Sequence, residues 1–303
     1  MVPLILLPGE PIADLHLHST ASDGSDRPAS VVRRAKEAGF SAIALADHDT
    51  MDGVPEALQE AERLGIECIP AVEYSCLDGG REVHMLGYGL DPADEQLRAQ
   101  LAHLREGRFD RAKRMVERLN ELGYAVSWER VQQLAGDENV GRPHIASALL
   151  EAGYVRSISE AFTDSLIGNG GRAYVDRVKI TPEEAIQQIR AAGGVAVLAH
   201  PGRFRSDDDR IEDAAIERYI AAGLQGIEVF YSKHTPEMVE HFLAMTKRYG
   251  LLPTGGSDDH GRYKDEELLG QVKLPYKYVT ALKEAIKEQR RENAGQETGQ
   301  RRP

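Results

Sequence analysis

Two histidines near the start of the chain are the residues best suited to chemistry. His16 and His18 alternate at the end of an apolar run that begins at Ile12, and Asp23 follows them in the sequence Ser-Asp-Gly. Alternate side chains of an extended strand lie on one face, so the two imidazoles can bind one metal ion. A lone His-x-His pair is as often structural as functional. It predicts a metal site only if further ligands join it.

Further histidines and acids stand at the ends of later strand-like runs. Such residues end five runs: Asp47-His48-Asp49, Glu73, His84, His200 and Asp258-Asp259-His260. In an α/β barrel the carboxyl ends of the strands form the rim on which active sites are built, so we expect these side chains to meet there. Imidazole and carboxylate ligands without thiolate favour Mn, Zn or Fe(II). The sequence therefore predicts a cluster of two or three divalent ions, an arrangement that activates water and stabilises a phosphoryl group.

Seven short strands are predicted to position these residues. They cover residues 12–18, 42–47, 66–74, 82–88, 195–200, 226–231 and 252–257. Amphipathic helices are predicted between most of them, over residues 28–38, 54–64, 211–222, 236–249 and 279–291, with another starting at Thr181. This alternation predicts parallel βα units, arranged as a barrel or as a doubly wound sheet.

The alternation stops between the fourth and fifth strands. Residues 93–175 contain helical patterns without a clear strand, the longest over 93–122 and shorter ones over 128–134, 142–151 and 157–166. We predict that this segment is an all-α insertion that covers the rim of a barrel formed by residues 1–92 and 176–291. Residues 292–303 are polar and charged, and are predicted to be a disordered tail.

Composition narrows the class of protein. The net charge of −12 argues against a surface that holds long nucleic acid. Cys68 and Cys76 form no C-x-x-C motif, which fits a reducing compartment. The apolar stretch within residues 1–7 is too short to span a membrane and lacks the basic start of a signal peptide. We therefore expect a cytoplasmic protein that does not associate with membranes.

The motifs, taken in order, resemble those of the PHP (polymerase and histidinol phosphatase) superfamily. The series is His16-Leu-His18, Ser22-Asp23-Gly24, Asp47-His48-Asp49, Glu73-Tyr-Ser, His84 before Leu86-Gly87-Tyr88, Ala199-His200-Pro201 and Ser257-Asp-Asp-His260. The resemblance runs from residue 12 to about residue 275. It implies an α/β fold, a distorted, TIM-like (β/α)7 barrel, with the all-α insertion between strands 4 and 5.

The resemblance also implies a trinuclear metal centre. One ion would be held by His16, His18, Glu73 and Asp258. A second would be held by Glu73, His84 and His200, and a third by Asp23, His48 and His260. Manganese is the expected metal, with Fe or Zn as alternatives.

A motif within the insertion bears on the substrate. The sequence Gly141-Arg-Pro-His-Ile-Ala resembles an element of the family's stand-alone phosphoesterases, including the 3′,5′-nucleoside bisphosphate phosphatases. Arg142 offers a bidentate fork to a phosphate. We expect substrate contacts from Arg142 and His144, and from Arg203 in the loop after His200. His144 or Asp49 would protonate the leaving group.

These features predict a metal-dependent phosphoesterase that cleaves the phosphomonoester of a small nucleotide by a metal-activated hydroxide. The favoured substrate is the 3′-phosphate of a nucleoside 3′,5′-bisphosphate. Two alternatives share the chemistry: 5′–3′ exonucleolytic trimming of short RNA or DNA oligonucleotides, and hydrolysis of histidinol phosphate. A further alternative is a non-catalytic PHP module with a structural role.

Overall fold

The structure is a computed structural model that describes residues 9–136, 140–163, 165–168, 170–175, 180–202, 210–263 and 268–300. It contains eight strands: β1 (Ile12–Leu17), β2 (Ala42–Leu45), β3 (Glu67–Asp78), β4 (Arg81–Tyr88), β5 (Val195–Leu198), β6 (Gly226–Tyr231), β7 (Leu252–Gly256) and β8 (Leu274–Pro275). They form one sheet in the order β7-β6-β5-β4-β3-β2-β1-β8.

Helices flank this sheet in chain order. They are α1 (Pro28–Glu37), α2 (Val54–Leu64), α3 (Glu95–Glu121), α4 (Trp128–Ala135), α5 (Arg142–Glu151), α6 (Ile158–Ala161), α7 (Pro182–Ala191), α8 (Asp213–Ala221), α9 (Pro236–Tyr249) and α10 (Tyr276–Gln300). Among the described residues, no helix combines the length and the apolar character that crossing a membrane requires.

The sheet curls into a nearly closed barrel. A parallel bridge joins Leu17, at the end of β1, to Asp259, which follows β7. Gly256 allows this approach, because a Cβ atom added there would lie 2.3 Å from the Cβ of His16. The predicted α/β barrel is confirmed, with β8 as a short additional strand antiparallel to β1.

One predicted strand direction is wrong. β4 runs antiparallel to both of its neighbours, β3 and β5. β3 continues to Asp78, four residues beyond its predicted end, and a tight turn at Gly79 and Gly80 leads back into β4. Both glycines have positive φ, 56° and 89°, which is the backbone that two-residue hairpins require. The hairpin therefore replaces a βα unit at this position.

The C-terminal segment also differs from the prediction. Residues 292–300 are helical rather than disordered, because α10 continues to Gln300. Asn293 anchors this extension by donating from its side-chain nitrogen to the carbonyl oxygens of Arg190 and Ala191 at the end of α7, at 2.8 and 3.1 Å. These hydrogen bonds join α10 to the carbonyl groups in the last turn of α7, where a helix leaves carbonyl groups outside its own ladder. Residues 301–303 lie outside the described residues.

Helix α3 contributes to two hydrophobic clusters. Leu97, Leu101 and Leu104 belong to the cluster that fills the barrel. Further along the helix, Met115 and Leu119 belong to a second cluster shared with α4, α5 and α6. The four helices from α3 to α6 all lie between β4 and β5 in the sequence. Residues 93–175 as a separate domain stay a prediction.

Candidate metal centre

Glu73 lies at the centre of a buried group of histidines. Its Oε2 atom is 3.2 Å from a nitrogen atom of each of three imidazoles: His16, His18 and His48. Its Oε1 atom is 2.7 Å from Nδ1 of His84 and 2.9 Å from Nε2 of His200. The Glu73 side chain is fully buried. One carboxylate thus contacts five imidazoles from four different segments of the chain.

A second carboxylate, Asp258, lies beside the same histidines. Its Oδ1 atom is 3.1 Å from Nε2 of His18, 3.8 Å from Nε2 of His16 and 3.4 Å from Nδ1 of His260. Asp23 completes the other side of the group. Its Oδ1 atom is 3.4 Å from Nε2 of His260, and its Oδ2 atom is 3.9 Å from Nε2 of His48.

The structure brings all nine predicted ligand residues into one buried cluster. Potential ligand atoms within 4.8 Å of one another form four groups over the described part of the chain: His18-Asp23-His48-His260, His16-His18-Glu73-Asp258, His16-His200-Glu228 and His48-Glu73-His84. The predicted set therefore converges, with Glu228 as an additional member.

The cluster fits divalent metal ions. Nε2 of His16, both ring nitrogens of His18 and Oε2 of Glu73 are buried, and none of them has a hydrogen-bond partner among the described residues. Buried polar atoms in proteins are normally paired, because leaving one unpaired costs about 1–3 kcal/mol. Cations bound within the cluster would provide partners for these atoms, and imidazole nitrogens with carboxylate oxygens are suitable ligands for Mn, Fe or Zn.

The charges of the cluster are strongly coupled. Burial by itself lowers the pKa of His16, but Glu228 and Glu73 outweigh it and hold that pKa well above its ordinary value. Burial likewise opposes protonation of His18, while Asp258 and Glu73 raise its pKa to about 9. Burial favours neutral Glu73, yet His48, His84 and His16 hold its pKa well below the ordinary range. Without metal, protons on the imidazoles therefore balance the buried carboxylates.

Two ligand positions differ from the expected strand ends. Glu73 lies within β3, and His84 lies in the first half of β4. His84 is opposite Ser75 in the antiparallel ladder, and Glu73 is opposite Leu86. Because β4 runs in the reverse direction, its amino-terminal half reaches the rim formed by the carboxyl ends of the other strands. The expectation that every ligand follows a strand is therefore wrong for this hairpin.

Backbone strain is concentrated at the cluster. Asp49, His200 and Asp258 have φ values of 54°, 24° and 57°, and they are the non-glycine residues with positive φ in the part of the chain that the structure describes. Such conformations cost about 1–3 kcal/mol each and persist only where surrounding contacts enforce them. Two of these residues are predicted ligands, and Asp49 follows a third, His48.

Asp49 is buried and paired with Ser75. Its Oδ1 atom accepts a hydrogen bond from the Ser75 backbone N–H at 2.9 Å, and its Oδ2 atom accepts one from the Ser75 hydroxyl at 3.0 Å. It belongs to none of the four ligand groups found among the described residues. These contacts hold the loop after β2 against β3.

The motif at the start of α5 lies against the metal cluster. A Cβ atom added to Gly141 would be 3.6 Å from the Cβ of Asp23. His144 is fully buried, and its Nδ1 atom accepts a hydrogen bond from the Gly141 backbone N–H at 3.0 Å. A neutral imidazole that accepts at Nδ1 carries its proton on Nε2.

Arg142 is connected to a ligand through Glu82. Its Nη2 atom donates to Oε2 of Glu82 at 3.0 Å, and Oε1 of Glu82 is 3.5 Å from Nε2 of His84. The guanidinium also lies over the Phe162 ring, 5.6 Å from its centroid. Arg203, the remaining predicted substrate contact, lies outside the described residues.

Three further polar residues lie around the cluster, of which Tyr231 and Glu228 were not predicted and Asp47 was predicted to lie at the rim without a role of its own. Tyr231 donates its hydroxyl to Oδ2 of Asp258 at 3.2 Å. Asp47 accepts hydrogen bonds from the hydroxyls of Ser19 and Ser22 in the loop that carries Asp23. Glu228 lies inside the apolar run of β6. A charged residue within a buried strand is rare unless it is paired, which is the signal that would have indicated Glu228.

Comparison with known proteins relates this arrangement to a family. The chain matches the PHP domain family over residues 14–282. It is 37% identical to the 3′,5′-nucleoside bisphosphate phosphatase of Chromobacterium violaceum over 248 residues, which cover 82% of this chain and 86% of that protein. It is 34% identical to the phosphoribosyl 1,2-cyclic phosphate 1,2-diphosphodiesterase of Eggerthella lenta, with coverage of 83% and 95%.

Two further proteins are similar at the same level. The 5′-3′ exoribonuclease of Haemophilus influenzae is 34% identical, with coverage of 82% of this chain and 89% of that protein. A crystal structure from Bifidobacterium adolescentis, assigned to the metal-dependent phosphoesterases, is 34% identical and superimposes with a TM-score of 0.84 over 90% of this chain and 96% of that chain. The family match spans far more than half of the sequence, and the fold is shared throughout. The chain therefore belongs to the PHP domain family and is a metal-dependent phosphoesterase, a hydrolase.

Proposed function

We propose that this protein hydrolyses the 3′-phosphate of nucleoside 3′,5′-bisphosphates. The observation that carries the proposal is the position of α5, whose first turn lies beside Asp23 and whose Arg142 is linked through Glu82 to His84. This contact places a guanidinium, which binds phosphate in a bidentate manner, at the edge of the metal cluster. The similarity to the C. violaceum bisphosphate phosphatase supports the same substrate class.

The proposal assigns the nine clustered side chains to two or three divalent ions, with manganese as the resident metal. The first set is His16, His18, Glu73 and Asp258, the second is Glu73, His84 and His200, and the third is Asp23, His48 and His260. When bound, such ions supply a water that ionises near neutral pH and positive charge opposite the phosphoryl oxygens.

The remaining steps belong to side chains of the protein. Arg142 orients the phosphate and stabilises the charge on its oxygens. His144 is the proton donor to the leaving oxygen, because its Nδ1 atom is engaged by Gly141 and its Nε2 atom carries the proton. Asp49 is the weaker choice for this role, since both of its oxygens accept hydrogen bonds from Ser75.

Exonucleolytic trimming of short 5′-phosphorylated oligonucleotides is the second candidate. It uses the same phosphoester chemistry, and the similarity to the H. influenzae exoribonuclease favours it. The net charge of −12 supports a short substrate rather than a long nucleic acid in either case. Because Cys68 and Cys76 are both free thiols, we place the reaction in the cytoplasm.

A substrate panel tests the proposal. Purified protein with Mn is assayed on adenosine 3′,5′-bisphosphate, AMP, a 5′-phosphorylated dinucleotide, histidinol phosphate and phosphoribosyl 1,2-cyclic phosphate, with inorganic phosphate measured and the organic products, including nucleotides and nucleosides, identified by chromatography. We expect a preference of at least about tenfold in kcat/KM for the bisphosphate over AMP, equivalent to about 1.4 kcal/mol of transition-state binding.

The same panel separates the alternatives. Faster turnover of the dinucleotide would favour the exonuclease, and faster turnover of histidinol phosphate or of the cyclic phosphate would favour those activities. Turnover of none of the five would favour the non-catalytic module. His16→Ala, prepared in parallel, excludes a contaminating phosphatase, because its activity should be lost if the reaction belongs to this metal centre.

A further inference from the structure

Glu228 is a fully buried carboxylate in the middle of β6. Its sequence neighbours Ile227 and Val229 are fully buried apolar residues. A buried charge costs several kcal/mol unless it is paired and hydrogen-bonded. The partners of this carboxylate should therefore explain its presence in the strand.

Both partners of Glu228 belong to predicted metal ligands. Its Oε1 and Oε2 atoms lie 3.0 and 3.2 Å from Nδ1 of His16. Its Oε2 atom also accepts a hydrogen bond from the backbone N–H of His200 at 2.8 Å. His16 comes from β1 and His200 from the loop after β5, so a single side chain joins two ligand-bearing segments from opposite sides of β6.

We propose that Glu228 is the positioning residue of the metal centre, which fixes His16 as the Nδ1–H tautomer and holds the backbone of His200 in its strained conformation. With Nδ1 donating to Glu228, His16 would bind a metal ion through Nε2, the nitrogen that lies 3.2 Å from Oε2 of Glu73. Carboxylates that bond the far nitrogen of a metal-binding imidazole orient the ring and make it a stronger ligand.

Glu228 also contacts the backbone of His200, and this contact supports the positioning role. His200 has φ of 24°, a conformation that needs external support. The hydrogen bond from its N–H to Glu228 is one such support, and the His16 and His200 rings lie nearly parallel with centroids 5.6 Å apart. Because both carboxylate oxygens of Glu228 accept hydrogen bonds from N–H groups, Glu228 acts through His16 and His200 and is not itself a ligand.

The first experiment measures metal affinity of the metal-free full-length protein by titration with Mn. Glu228→Gln keeps the size of the side chain but offers only one acceptor oxygen for two N–H donors. We expect Mn to bind about 10- to 100-fold more weakly to this variant. The matched control is Asp78→Asn, which removes a strand carboxylate bonded to Tyr219 and Arg218, and it should leave Mn affinity unchanged.

This result distinguishes positioning from a general structural role. A Glu228→Gln protein with a lower melting temperature but wild-type Mn affinity would overturn the proposal. The inference shares with the proposed function the assignment of His16 as a ligand, so His16→Ala is titrated alongside. Weak Mn binding by His16→Ala together with wild-type affinity in Glu228→Gln would refute the positioning role and leave the proposed function intact.

A second measurement observes the tautomer of His16 in the wild-type protein itself. Nitrogen-15 NMR of the ring nitrogens is recorded on the wild-type protein loaded with diamagnetic Zn, and the His16 signals are identified by their loss in His16→Gln. We expect a proton on Nδ1 of His16 and none on Nε2. A proton on Nε2 would overturn the proposal.

Discussion

Arg142 donates a hydrogen bond of 3.0 Å to Glu82, and Glu82 in turn lies against His84. Arg142 is the first residue of α5, whereas Glu82 and His84 belong to the hairpin strand β4. This ion pair is mostly buried, and it joins the helical segment to the strand that carries His84. A substrate phosphate bound at the metal centre would also lie near the Arg142 guanidinium.

Replacement of Arg142 should reduce catalysis without changing the affinity for metal. A hydrogen bond to a charged group contributes about 1.5–3 kcal/mol, so Arg142→Ala should lower kcat/KM on the bisphosphate about 10- to 100-fold. Arg142→Lys should retain only part of the wild-type kcat/KM, because an ammonium cannot bind a phosphate in a bidentate manner. The control is Mn affinity, measured by titration, which should not change. Equal kcat/KM in Arg142→Ala and in the wild type would show that Arg142 does not contact the substrate.

His144 and Asp49 can be separated by the choice of leaving group. Asn at position 144 keeps an acceptor near the Gly141 N–H but lacks Nε2, so His144→Asn should lower kcat on a nucleoside 3′-phosphate about 10²- to 10⁴-fold. Its activity on p-nitrophenyl phosphate, whose leaving group needs no proton, should change little. Loss of both activities to the same extent would argue against His144 as the proton donor.

Asp49→Asn is the companion test. An amide oxygen can still accept the Ser75 backbone N–H, and asparagine tolerates the positive φ of 54° at this position. We expect kcat on the nucleoside substrate to stay within about tenfold of wild type, the range of one weakened charged hydrogen bond. A loss comparable to that of His144→Asn would instead identify Asp49 as the acid.

Metal removal should reverse the dependence of stability on pH. In the metal-free protein the pKa of His18 is about 9, above the ordinary value of 6.5. A raised folded-state pKa gives stability that is complete below the unfolded pKa and is lost as pH rises through the folded one. The metal-free protein should therefore lose up to about 3 kcal/mol of unfolding free energy between about pH 6.5 and 9.

The metal-loaded protein should behave in the opposite way. Metal binding displaces protons from imidazole, so Mn binds more tightly and stabilises the protein more as pH rises. Urea unfolding with EDTA or with Mn, compared between about pH 6.5 and 8.5, measures both slopes. A metal-free protein that gains stability over this range would contradict the assignment of raised histidine pKa values.

Two glycine substitutions should change stability in opposite directions. Gly256→Ala would place a Cβ atom 2.3 Å from the Cβ of His16 and 2.5 Å from its backbone nitrogen, so it should destabilise the protein by about 1–3 kcal/mol or more. Gly295 lies in α10 with open space around its Cα, and Gly295→Ala should stabilise by up to about 1 kcal/mol. Melting temperatures report both effects. An unchanged melting temperature for Gly256→Ala would contradict the close approach of β1 and β7.

The sequence alone predicted the elements whose ends are marked by residues within or next to the element. Helix α9 begins and ends as predicted, because the Thr235 hydroxyl caps it by accepting from the Met238 N–H and Gly250 adopts the left-handed conformation that closes a helix. Strand β6 also matches its predicted range. The convergence of His16, His18 and the later ligands followed from the architecture of the barrel, in which strand ends share one rim.

The errors concern interactions between distant residues. The direction of β4 depends on whether β3 stops near Tyr74 or continues into the turn at Gly79 and Gly80, and the apolar pattern alone allows both. The order of residues 292–300 depends on Asn293 reaching the end of α7, a contact that no local pattern indicates. Glu228 carries no motif, and its role is visible only once His16 of β1 and the loop after β5 both reach it.

The packing of α3 against two hydrophobic clusters limits where residues can be inserted into the chain. Leu104 packs in the barrel cluster and Met115 in the helical one, and the eleven residues that separate them amount to about three turns at 3.6 residues per turn. Both contacts therefore face nearly the same side of one continuous helix. Inserting a single residue between them would rotate everything beyond it by about 100° and carry α5 out of phase with β4. The angular phase of α3 thus sets whether Arg142 can reach Glu82.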